Sequence, residues 1–141
     1  MRGKNSIFAS GAASPVGPYP HARRAGDFLF LSGIGPRPAD GGSVPGTTFK
    51  ADGSVLDYDI EMQCHAVFRN VRAVLDSAGA TFDDLVDITV FLTNIERDFE
   101  TFNRVYAEYF PGEGPCRTTV EVNRLPTPIA IELKCIAFVA L

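Results

Sequence analysis

The segment from Tyr58 to Ala78 sets Ile60, Cys64, Val67, Val71, Val74, Leu75 and Ala78 at spacings of three and four, the stripe of an amphipathic helix with one face to bury. A one-sided helix must lie on a second layer. Asp57 or Asp59 is placed to cap its start and Gly79 to end it. In "LVDITVFLT", Leu85 to Thr93, the residues Val86, Ile88, Val90 and Leu92 alternate with Leu85, Asp87, Thr89 and Phe91. This predicts a strand with at most one polar half-face. Asn94 then caps a second helix, in which Phe99, Phe102, Tyr106, Tyr109 and Phe110 share a face and which stops at Pro111-Gly112.

The flanking sequence completes the outline. Phe28 to Ser32, bounded by glycines, reads as a short buried strand, and residues 35–57, rich in Gly, Pro, Asp and Ser, read as a long surface loop bordering a site. "CRTTVEVNRLPTPIAIELKC", Cys116 to Cys135, reads as two strands around a proline-studded turn. The expected fold is α+β: a mixed β-sheet with both helices packed on one face, in a single domain spanning residues 1–141. Such a two-layer domain leaves its other sheet face open, and oligomerisation is the natural cover.

Composition narrows the function classes. The 141 residues are 45% apolar with a formal net charge of -4, and scattered Lys and Arg form no basic stripe, so nucleic acid is an unexpected partner. Three cysteines without a CxxC spacing fit free thiols in a reducing, cytoplasmic setting. The start "MRGKNSIFASGAASP" lacks a signal-peptide core, and no run approaches a membrane span. His21 and His65 stand far apart without metal-ligand spacing, so no metal is expected.

The charges in the last segment raise the question of chemistry. With the turn centred between Arg124 and Leu125, antiparallel pairing would set Arg117 opposite Glu132 and Thr119 opposite Ala130, close enough to share a cleft. Arg offers a planar donor fork to a carboxylate, and Glu can hold or deprotonate water. The same spacing fits a plain cross-strand salt bridge, and spacing alone does not choose. Glu121 and Lys134 read as a solvated or interface face. Asn103 falls on the aromatic face of the second helix, where a buried amide needs a partner. Pro18 and Pro20 stiffen Tyr19 and His21 in "GPYPHA", and Ser32, Gly33 and Gly35 follow the first buried strand in a pattern too irregular for a nucleotide loop.

"GPYPHA", "GDFLFLSGIGP", "NVRAVLDSAGATFDDLVDITVFLTNIERDFETFNRVYAEYF" and "CRTTVEVNRLPTPIAIELKCIA" together resemble the RidA family of imine/enamine deaminases along nearly the whole chain. Within it, "YPHAR", "DYDIEMQCHAVFRNVRAVL" and "CRTT…LPTPIAIELKCIA" are most similar to the 2-aminomuconate deaminases of aromatic-compound degradation. The resemblance implies a chorismate-mutase-like fold, a homotrimer with sites in the subunit clefts, and a cofactor-independent hydrolase. It also implies roles: Arg117 grips the substrate carboxylate, Glu132 orients the attacking water, Tyr19 reaches in from a neighbouring subunit, Asn103 supports the site, and Ser32 and Gly33 line it. Thr119 stands where many members carry cysteine, and its backbone amide can still meet the carboxylate. His21 also departs from the commoner family pattern.

The implied substrate carries two carboxylates, so a second cationic or donor group is expected from Arg37, His21 or Arg23. Two other readings stand beside this one. They are a broad deaminase of 2-iminobutanoate and 2-iminopropanoate, and a ligand-binding or chaperone-like trimer without turnover.

Overall fold

The computed structural model describes residues 5–140. Its main sheet joins six strands: β1 (Ser6–Ile7), β2 (Ala22–Ala25), β3 (Phe28–Leu31), β6 (Leu85–Leu92), β7 (Cys116–Glu121) and β8 (Ile131–Phe138), in the order β1-β2-β3-β8-β6-β7. Helices α1 (Ile60–Ser77) and α2 (Ile95–Tyr109) pack side by side on one face, giving the expected mixed two-layer architecture. The supposed surface loop contains a second small sheet, β4 (Thr47–Phe49) with β5 (Val55–Tyr58).

Local chemistry sets the helix ends. Asp59 caps α1 by accepting from the Met62 amide at 3.2 Å, and Gly79 leaves the helix at φ +73°. That angle costs glycine nothing and other residues strain. Asn94 caps α2, accepting from the Arg97 amide at 3.0 Å. Glu121, expected on a solvated or interface face, adds a second acceptor there, taking the Ile95 amide at 3.0 Å; a carboxylate suits the positive end of a helix.

The core lies between the layers. Cys64, Val67, Phe68, Val71, Val74 and Leu75 of α1 and Phe102 and Val105 of α2 meet Leu29, Leu31, Ile88, Val90, Leu92, Ile131, Leu133 and Cys135 of the sheet, all of them buried. Each large aliphatic or aromatic side chain so buried contributes about 1.5–3 kcal/mol. Val86 escapes the predicted alternation: it is exposed while Leu85 is buried, because the β6–β8 register shifts between Leu85 and Asp87.

The strand from Phe28 is buried on one side only. Phe28, Phe30 and Phe138 are 43%, 40% and 42% exposed, and Phe28 meets Phe138 edge to face at 5.3 Å between ring centroids. An apolar cluster this open in a single chain suits burial by a partner. Among the described residues no helix is long and apolar enough to cross a membrane.

The largest departure from the sequence reading concerns the last two strands. They are not a hairpin. β7 pairs in parallel with β6, placing Arg117 beside Ile88, while β8 pairs antiparallel with the other edge of β6, placing Glu132 beside Phe91. The cause is α2: a helix between β6 and β7 is the crossover that parallel strands require, so β7 returns to the free edge of β6. Residues 122–130 then carry the chain across the end of β6. Gln63, buried on α1, fastens that connection by accepting from the Ala130 amide at 2.8 Å and donating to Thr47 Oγ1 at 3.2 Å.

Candidate active site

Six of the residues singled out from sequence gather at one place. Tyr19, His21, Ser32, Gly33, Gly35 and Arg37 surround a small cavity, together with Ala12, Ala13 and Asn70. The chain leaves β3 here. Pairing passes from Phe30–Ile136 to Ile34–Leu133, out of step by one residue, and Lys134 spans the irregularity by donating from Nζ to the Leu31 carbonyl. Lys134, also expected on a solvated or interface face, is therefore a brace at the exit of β3.

Each of these side chains has a defined bonding state. Ser32 Oγ donates to the Pro20 carbonyl at 2.7 Å, and its amide donates to the His21 carbonyl at 2.9 Å. His21 is buried and both ring nitrogens are committed: Nδ1 accepts from the Ala9 amide at 2.9 Å, so Nε2 carries the proton given to the Ala13 carbonyl at 2.8 Å. This neutral tautomer ties the N-terminal segment together and leaves no free donor for a ligand. Tyr19 accepts from the Val16 amide at 3.2 Å and keeps its own hydroxyl proton. Arg37 spends one Nη2 bond on the Ser14 carbonyl at 2.8 Å, which leaves most of its fork available. Arg23 sits opposite Phe30 on the open sheet face and does not line this cavity.

Sequence reading missed Asn70. Its amide nitrogen donates to the Gly35 carbonyl at 2.8 Å and the Arg37 carbonyl at 2.7 Å, so α1 grips the segment that carries Gly33 and Arg37. The available signal was a polar residue one position before the buried Val71 in the α1 stripe.

Glu132 lies against the same segment. A Cβ added to Gly33 would fall 2.7 Å from Glu132 Oε2 and 2.9 Å from Cδ, so only glycine allows this approach. Glu132 alternates with the buried Ile131 and Leu133 and therefore points to the open sheet face. Burial raises its pKa above the usual carboxylate range. It has no hydrogen-bond or ion-pair partner among the described residues. A half-buried carboxylate in that state is suited to taking a proton from water.

Arg117 is elsewhere. Its guanidinium lies on the helix side of the sheet, 4.7, 5.2 and 5.9 Å from the ring centroids of Tyr106, Phe102 and Phe99. With Thr119 it lines a groove between α2 and β7. Thr119 Oγ1 and Tyr106 Oη are both buried without a hydrogen-bond partner, an unsatisfied state that native proteins seldom keep unless a ligand or neighbour completes it. Asn103 is half-buried on α2 and lines neither the groove nor the cavity. All three cysteines are free, and burial pushes the thiols of Cys64 and Cys135 up to about 12, too high for a thiolate nucleophile near neutrality.

The chain therefore presents two candidate half-sites. One has the Glu132 carboxylate against Gly33, a residue of the cavity that Ser32, Tyr19 and Arg37 also line; the other has the Arg117 guanidinium with Thr119. The family model described as Endoribonuclease L-PSP matches residues 10–139 of this chain. The chain belongs to that family. A RutC family protein of Pyrococcus horikoshii is 40% identical over 135 residues, covering 96% of this chain and 98% of the relative. Reactive Intermediate Deaminase A, chloroplastic, of Arabidopsis thaliana is 34% identical, covering 95% of this chain and 65% of the relative.

Solved structures agree on the fold. The Rid family protein YyfA of Yersinia pestis superposes with a TM-score of 0.79 at 37% identity, covering 95% of this chain and 98% of that one. TdcF of E. coli, solved with bound serine, superposes with a TM-score of 0.82 at 30% identity, covering 96% of this chain and 98% of that one. Membership in this RutC and Rid group places the protein in a family that includes a reactive intermediate deaminase.

Proposed function

We propose that this protein hydrolyses enamine or imine carboxylates to oxo acids and ammonia. The observation that carries the reading is Glu132, half-buried, without a partner among the described residues, and seated against Gly33 with its proton affinity raised. The reaction begins when an enamine takes a proton at carbon and gives one up from nitrogen, becoming its imine tautomer. Water then adds to the imine carbon while Glu132 accepts a water proton. Protonation of nitrogen follows, the C–N bond breaks, ammonia leaves, and the carbonyl forms. Arg117 holds the carboxylate next to the imine carbon, which orients the substrate and favours attack.

Within the chain Arg117 and Glu132 face opposite ways, so the site needs at least two copies. A homotrimer, the assembly expected from the resemblance, supplies clefts of that kind, and the exposed Phe28, Phe30 and Phe138 supply apolar area for it. The serine bound to TdcF shares the α-nitrogen and carboxylate of the proposed substrates. That likeness supports recognition of a 2-imino or 2-amino acid skeleton.

The specific substrate we propose is 2-aminomuconate. Of the three residues considered for its second carboxylate, His21 has both nitrogens committed and Arg23 does not line the cavity. Arg37 lines the cavity with free donors. Ammonia release by wild type, Arg117→Ala and Glu132→Gln tests the reaction, and comparison of 2-aminomuconate with 2-iminobutanoate in Arg37→Ala tests the substrate. Turnover of 2-iminobutanoate alone would favour the broader deaminase. Equal background release by all variants would leave ligand binding without catalysis. The acidic balance of the chain gives no support to the nuclease activity in the family description.

A further inference from the structure

We propose that the cavity bounded by Asn70, Ser32, Tyr19 and Gly33 is the holding site for the water consumed in the reaction, and that Glu132 draws on it past Gly33. The proposal rests on the hydrolytic reading above and adds to it where the nucleophile is stored.

Size points to a small occupant. The cavity offers about 30 Å³, against the roughly 10–15 Å³ that one water needs. One or two waters fit that space, which is too small to enclose a whole substrate.

The lining points to a molecule that both donates and accepts. Asn70 is 5% exposed and spends its amide hydrogens on the Gly35 and Arg37 carbonyls, so only its Oδ1 remains, as an acceptor. Ser32 gives its hydroxyl hydrogen to the Pro20 carbonyl and retains acceptor lone pairs. Tyr19, already accepting from Val16, retains a hydroxyl proton, and Arg37 retains guanidinium hydrogens. Two acceptors and two donors around one small space are the complement that a buried water requires. His21, with both nitrogens committed, serves as rigid wall.

Position points to use. Gly33 lines the cavity and is also the residue against which the Glu132 carboxylate rests, at 2.7 Å from a would-be Cβ. A water leaving the cavity past Gly33 arrives at the base. One O–H proton passes to Glu132, the oxygen bonds to the imine carbon, and no further reactant is needed.

The test fills the cavity with a larger side chain. Ala12 lines it, is buried, and belongs to neither half-site. Ala12→Val is expected to lower kcat on a monocarboxylate imine such as 2-iminobutanoate by at least about tenfold with KM within about twofold, because the water supply suffers while the Arg117 anchor, outside the cavity, does not. Ala13→Val fills the same space if Ala12→Val does not fold. Crystal structures should show an ordered water on Asn70 Oδ1 and Ser32 Oγ in the wild type and its loss in the variant. An unchanged kcat, a loss confined to KM, or a cavity without ordered water in the wild type would each overturn the proposal. If the wild type releases no ammonia from any imine carboxylate, the hydrolytic reading fails, and a water seen there is structural only, which also overturns this assignment.

Discussion

Arg117 and Glu132 stand on opposite faces of one sheet with β6 between their strands, Arg117 beside Ile88 and Glu132 beside Phe91. The guanidinium rests on the rings of α2, and the carboxylate points to the open face. Two such half-sites can act on one substrate only when different copies supply them. Arg117→Ala and Glu132→Gln, each inactive alone, should therefore complement when denatured together and reassembled. In a closed assembly of randomly mixed chains about a quarter of the clefts receive both native residues, so about a quarter of wild-type activity should return. A mixture as inactive as its components would show that one chain builds the whole site.

Gly33 is required for space. Its φ is not in the left-handed region, so alanine brings no backbone strain there. The added methyl would instead press on Glu132 Oε2 and Cδ, at 2.7 and 2.9 Å. The carboxylate is the flexible partner and should rotate away. Gly33→Ala is expected to fold with nearly unchanged Tm and to lose about 10²-fold or more in kcat, the usual scale for misplacing an acid–base group. Full activity with the carboxylate displaced in a crystal structure would remove Glu132 from the mechanism.

Desolvation raises the Glu132 pKa, and the sign of its effect on stability follows. An unfolded glutamate titrates near 4.3, roughly. Between that value and the higher folded one, the folded chain keeps a proton that the unfolded chain has lost. Stability contributed by this group is thus full below the unfolded value and falls as pH rises through the window. Glu132→Gln cannot ionise, so it should be more stable than wild type near neutral pH and equal to it near about pH 4. Urea unfolding at the two pH values measures this. The same shift moves the acid limb of kcat/KM above the ordinary glutamate range. A variant less stable at neutral pH would mean that an ionised Glu132 is favourably paired in the assembled protein.

Much of this arrangement was legible in the chain. The stripe from Ile60 to Leu75 and the caps Asp59, Gly79 and Asn94 follow from local rules, because capping and one-sided burial act over a few residues. The placement of Arg117 was not legible. A short proline-bearing segment after a strand favours a hairpin, yet the decisive fact is the preceding α2, which sends β7 to the far edge of β6. Lys134 and Glu121 looked idle because their acceptor and donor, the Leu31 carbonyl and the Ile95 amide, are brought to them only by tertiary structure. Asn70 was hidden for the same reason. The candidate half-sites were singled out because resemblance named their residues, while the sheet alone reveals that they face apart.

Tyr58 and Asp98 define a second buried polar point, remote from the proposed chemistry. Tyr58 donates to Asp98 Oδ2 at 2.6 Å, joining the small β4–β5 sheet to α2, and the Arg97 guanidinium lies 4.2 Å over the Tyr58 ring. The Asp98 side chain is fully buried, its other oxygen has no hydrogen bond, and Arg97 Nε stands 3.5 Å from it. Burial raises the Asp98 pKa, opposed by the Tyr58 bond and by Arg97. Burial, together with that carboxylate, pushes the Tyr58 hydroxyl up to about 12, so it stays a donor at any ordinary pH. Tyr58→Phe removes the one hydrogen bond holding an ionised Asp98 down, at a cost of about 1–3 kcal/mol near neutral pH. The Asp98 pKa should then rise further. As pH falls and Asp98 becomes protonated in both proteins, the difference between them should narrow. Chemical denaturation of the pair across that range checks both parts, and a stability gap independent of pH would assign the loss to packing of the phenol instead of its bond to Asp98.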